Sequence, residues 1–132
     1  MNPLLIHGLL MGTGFGLMTL AGIVSRFLKR KRWWLKGHRA LGIAGAVMLV
    51  PGAAAAYFLV EASTGVHLQE PHTWLGAAVL VLSFTAPIVG ILAFRIRAHA
   101  ARLRMVHRWS GRLALAAALL TVLTGLRLVG IL

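Results

Sequence analysis

Residues 38–60 read HRALGIAGAVMLVPGAAAAYFLV, twenty-three residues whose only charge is Arg39, at the leading edge. About 20 apolar residues wound as a helix cross a hydrocarbon core of roughly 30 Å. Segments 4–25, 73–94 and 109–131 are of the same mostly apolar kind. With 59% hydrophobic and 12% charged residues in a chain of 132, an ordinary soluble domain is excluded. The reading is an all-α membrane protein, a four-transmembrane-helix bundle forming one domain over residues 1–132. The first apolar segment runs straight into basic residues without a polar, small-residue cleavage region, so it reads as a retained span and not a signal peptide.

The net charge of +12 would suggest nucleic acid in a soluble protein, but its placement does not. Thirteen of the fourteen Lys and Arg fall between Arg26 and Arg39 or between Arg95 and Arg112, the two loops of one side. The opposite loop holds both acids, Glu61 and Glu70. The positive-inside rule then puts the basic loops in the cytoplasm and both termini outside. Trp33, Trp34, Trp74 and Trp109 fall near the span ends, where an interfacial aromatic belt belongs. The partner this implies first is a lipid bilayer, with no nucleic acid, and the location is a cell's plasma or inner membrane. Cysteine is absent, which excludes disulfides, thiolate metal sites and covalently attached c-type haem.

A histidine stands at the head of each apolar segment: His7, His38, His72 and His107. Behind each, the positions i+4, i+7, i+11, i+14 and i+18 share one helical face. From His38 they are Gly42, Gly45, Leu49, Gly52 and Ala56; from His107, Gly111, Ala114, Ala118, Thr121 and Gly125. From His72 they are Gly76, Val79, Ser83, Ala86 and Gly90; from His7, Met11, Gly14, Met18, Ala21 and Ser25. Sixteen of these twenty are Gly, Ala, Ser or Thr, against 46 of 132 in the whole chain, so the four faces form a distinct groove. Small residues in membrane helices ordinarily serve close packing. Beneath a histidine they also make room for a flat macrocycle.

Alternating helix direction sorts the histidines by depth. Helices 1 and 3 start outside, which pairs His7 with His72; helices 2 and 4 start inside, which pairs His38 with His107. Two facing imidazoles are what a six-coordinate haem iron needs. Zinc fits less well, since neither level offers a carboxylate pair. His67 and His99 fall in loops on opposite sides and read as solvated. Pro71 suits a helix start, while Pro51 and Pro87 fall within spans, where neighbouring helices can satisfy the carbonyls they free.

These residues resemble the cytochrome b561 family, in particular the core also found attached to a DOMON domain. The matching stretches are His7-Gly8 leading to Ser25-Arg26-Phe27-Leu28-Lys29, the His38 segment through Gly52, His72-Thr73-Trp74-Leu75-Gly76, and Val106-His107-Arg108-Trp109-Ser110-Gly111-Arg112. The last of these is the most specific. The resemblance covers the four haem-bearing helices and implies two non-covalent haem b groups with bis-histidine ligation, His7 with His72 and His38 with His107. It implies transmembrane electron transfer, from a cytoplasmic reductant such as ascorbate or a quinol to an outer acceptor such as a ferric chelate, a radical or a partner protein. A homodimer is implied by the resemblance alone. Arg26, Lys36 and Arg39 are candidates for cytoplasmic haem propionates or an anionic donor, and Arg127 for an outer propionate or a pairing with Glu61 or Glu70. The competing class is a membrane anchor or electron-relay subunit of a larger complex, which the short loops would suit.

Overall fold

A computed structural model describes residues 2–132. It contains four long helices: α1 (Pro3–Phe27), α2 (Trp34–Ser63), α3 (Pro71–Arg95) and α4 (Ala100–Leu128), with a single 3-10 turn over Arg97–His99 before α4. Each long helix is apolar and long enough to cross a membrane. The all-α class with four spans therefore stands. By contact density the chain divides into two compact units, Met1–Trp74 and Leu75–Leu132.

Local chemistry explains the helix ends. Asn2 caps α1 by accepting a hydrogen bond from the Leu4 N–H at 2.9 Å, and Pro3 occupies the first turn, where its missing N–H costs nothing. Pro71 opens α3 in the same way. Pro51 and Pro87 lie inside continuous helices. All four helices begin upstream of their apolar segments, α1 by a single residue. The largest change is in α4, which starts at Ala100 and not at 109, because Arg102, Leu103, Arg104 and Met105 are good helix formers even outside the apolar layer. His7 and His38 therefore sit in the second turn and His107 in the third, while His72 keeps its place in the first.

In the first unit α1 and α2 run antiparallel, joined by the six residues 28–33. Their crossing is closed by glycine. A Cβ on Gly14 would lie 2.9 Å from the Gly45 carbonyl oxygen, and a Cβ on Gly45 would lie 2.9 Å from the Gly14 carbonyl oxygen. These two backbones touch, so this part of the small stripe serves helix packing and leaves no gap for a macrocycle. The core here is Ala21, Val24, Ala46 and Leu49. In the second unit Val79, Ala86, Ala93, Ala114 and Ala118 are buried together with Ser83 and Ser110. None of the twenty stripe positions is exposed in either unit. Leu9, Phe58 and Val81, each about two-thirds exposed, present the kind of surface that lipid tails cover.

Candidate cofactor site

Three of the four histidines are oriented by the same device. His7 Nδ1 lies 2.8 Å from the Gly52 carbonyl oxygen, His38 Nδ1 lies 2.9 Å from that of Ala21, and His107 Nδ1 lies 2.7 Å from that of Ala86. A carbonyl oxygen can only accept, so in each ring Nδ1–H is the donor. The neutral imidazole then keeps its lone pair on Nε2, the tautomer a metal-binding histidine needs. Each acceptor stands fourteen residues after the histidine of the neighbouring helix: Gly52 after His38, Ala21 after His7, Ala86 after His72. Fourteen residues are close to four helical turns, so a long antiparallel neighbour returns the right carbonyl to the right depth.

Within the first unit, the rings of His7 and His72 lie edge to face, with centroids 6.0 Å apart and planes turned by 82°. Two imidazoles that shared one metal ion through bonds of about 2.0–2.1 Å would have ring centroids roughly 6 Å apart. The separation of the two rings is of that size. Among the described residues no group of three or more His, Cys, Asp or Glu could hold a metal ion.

The glycines one turn beyond the histidines supply the flat space. A Cβ on Gly111 would meet nothing within 4 Å. One on Gly42 would meet only the Ala21 Cβ, and one on Gly76 only the Thr121 Cγ2, both at 3.9 Å. Gly90 differs from these, since a Cβ there would lie 3.0 Å from His107 Nδ1 and 3.1 Å from its Cε1. Its bare backbone lets the imidazole settle against α3. The residues present therefore fit a planar macrocycle that histidines would hold, on ligand tautomer and open space alike.

The basic candidates lie at the helix ends. Arg26, in the last turn of α1, places its guanidinium carbon 5.9 Å from the Phe27 ring centroid. Lys36 and Arg39 are exposed in the opening turns of α2, at the same end of the hairpin as Arg26. Arg127 is exposed in the last turn of α4. His99 is exposed, as its loop position suggests. His67 is not simply solvated: its Nε2 lies 3.0 Å from Glu61 Oε2, and its ring stacks on Tyr57 with centroids 4.6 Å apart. Glu61 and Tyr57, on the last turns of α2, hold it in place, and their spacing from a loop histidine left no pattern to read.

A sequence model of the family described as eukaryotic cytochrome b561 matches residues 4–131, nearly the whole chain. The chain belongs to the cytochrome b561 family. Neither a curated protein nor a solved structure matches it. As a cytochrome b561 with four membrane-length helices, it is a multi-pass integral membrane protein. Cytochrome b561 proteins bind haem b, and the family points to haem-based electron transfer across the membrane.

Proposed function

We propose that this cytochrome b561 carries electrons through two haem b groups, one held by His7 and His72 towards the outer surface and one by His38 and His107 towards the cytoplasm. The observation that carries this reading is the shared Nδ1–H to carbonyl hydrogen bond of His7, His38 and His107, which leaves the lone pair of each ring on Nε2, the nitrogen that ligates. Haem, when bound, supplies a one-electron Fe(III)/Fe(II) couple. The chain supplies the remainder. The carbonyls of Gly52, Ala21 and Ala86 fix the ring orientations. Gly42, Gly76 and Gly111 keep side-chain bulk away from the ligand faces. Arg26, Lys36 and Arg39 offer countercharge for propionates or an anionic reductant at the cytoplasmic end, and Arg127 offers it at the outer end. The electron source is a small cytoplasmic reductant of the ascorbate or quinol class, and the acceptor is a ferric chelate, a radical or a partner protein.

The test is a dithionite-reduced minus oxidised spectrum of the purified chain, with haem quantified against protein. Two b-type haems per chain are expected. His72→Ala and His107→Ala should each leave one, and each should remove a different spectral component. A haem-free wild-type preparation would overturn the assignment. A single haem in the wild type would remove one of the two pairs, and these variants would show which. Reduction by ascorbate and by a quinol then separates the donor classes.

A further inference from the structure

The helices differ in how far apart they keep their charges. From Arg39 to Glu61 in α2 is about 33 Å at 1.5 Å per residue, and from Glu70 to Arg95 about 37 Å. From Arg112 to Arg127 in α4 is only about 22 Å on the same measure. Against a hydrocarbon core of roughly 30 Å, α2 and α3 clear the apolar layer and α4 does not. Both arginines must reach outward to water or headgroups, and the bilayer thins locally where they cannot.

Among the described residues Arg112 forms no ion pair. The ion pair found among the described residues is His67–Glu61, and the unit Leu75–Leu132 that carries Arg112 has no Asp or Glu in its sequence. Arg112 is exposed, on the side of α4 away from the buried Ser110, Ala114 and Ala118. Its guanidinium carbon lies 5.3 Å from the ring centroid of Trp109, itself 56% exposed. Arg104 and Arg108, both exposed, precede it at intervals of four on the same face. Like charges at this spacing repel, and an anion seated between them removes the repulsion.

From these observations we infer that Arg108, Trp109 and Arg112 form a binding site for the phosphate of an anionic phospholipid, drawn towards the short apolar span of α4. Guanidinium groups pair with phosphate oxygens through two parallel hydrogen bonds, and the tryptophan ring belongs at headgroup depth. A lipid suits the site better than a dissolved anion, because Arg112 faces outward below the level of His107, where tails and headgroups are the neighbours. The site needs no haem and stands independently of the function proposed above.

The experiment is native mass spectrometry of the full chain released from nanodiscs containing equal phosphatidylcholine and phosphatidylglycerol. Wild-type protein should retain phosphatidylglycerol about tenfold over phosphatidylcholine, and Arg108→Gln/Arg112→Gln should bring the ratio close to one. Arg30→Gln/Arg32→Gln removes the same charge from the other basic loop and should leave the preference in place. Arg112→Lys keeps the charge and loses the fork, so it should lower the ratio severalfold in a chain that still folds. Equal retention of the two lipids by the wild type would overturn the site. So would an Arg30/Arg32 variant that loses as much as the Arg108/Arg112 variant, or an Arg112→Lys variant that loses nothing.

Discussion

The α1–α2 hairpin and the α3–α4 unit use the same wiring but different means of bringing their helices close. In both, a histidine ring donates Nδ1–H to a carbonyl fourteen residues beyond the neighbouring helix's histidine. In the hairpin the helices meet backbone to backbone at Gly14 and Gly45. In the second unit the corresponding positions are Val79 and Ala114, both buried, and the closest glycine contact is Gly90 against the His107 ring. The comparison teaches that ligand orientation is the repeated feature, while each half meets it with its own packing solution.

Substitutions at the glycines test this division. Gly45→Ala should have the largest effect. Its Cβ would lie 2.9 Å from a backbone oxygen that cannot swing away, so a loss of about 1–3 kcal/mol is expected, read as a lower unfolding temperature with both histidine sites in that hairpin disturbed. If Gly45→Ala melts like wild type, the backbone contact does not hold the hairpin. Gly90→Ala should be milder and local. His107 must give by a few tenths of an ångström, so the spectral component of one haem should shift while the fold survives. Gly111→Ala is its counterpart. With open space around the Cβ, the haem-free chain should gain up to about 1 kcal/mol from helix propensity, whereas haem retention should fall if the macrocycle lies there. Equal haem content in Gly90→Ala, Gly111→Ala and wild type would erase the distinction between a positioning glycine and a clearance glycine.

Glu61→Gln should have the smallest effect. The Glu61–His67 pair is well exposed, with side chains 57% and 33% accessible, and such pairs contribute about 0–1 kcal/mol. The unfolding temperature should barely move, and a drop as large as that of Gly45→Ala would show that the loop 64–70 is integral to the hairpin.

Much of this was legible in the sequence because it depends on side-chain type and period. The four spans follow from apolar length, the inward faces from helical spacing, and the four histidines from their repeated position. What the sequence did not display rests on atoms every residue carries. The acceptors for His7, His38 and His107 are main-chain oxygens of Gly52, Ala21 and Ala86, and a carbonyl has no signature in composition. The start of α4 at Ala100 was hidden for another reason: apolarity marks the membrane layer, and a helix continues past that layer wherever its residues favour helix. The roles of Gly45 and Gly111 also diverged between two stripes of the same pattern, since smallness serves contact in one place and clearance in another.

The reciprocal hydrogen bonds of the hairpin bear on the order of assembly. His7 is oriented by α2 and His38 by α1, so both rings can be set as soon as residues up to about 60 have entered the membrane. In the proposed pairing, one ligand of each haem is then in place before α3 and α4 emerge. Cofactor capture is left as the last event, waiting on His72 and His107 to arrive at a half already prepared.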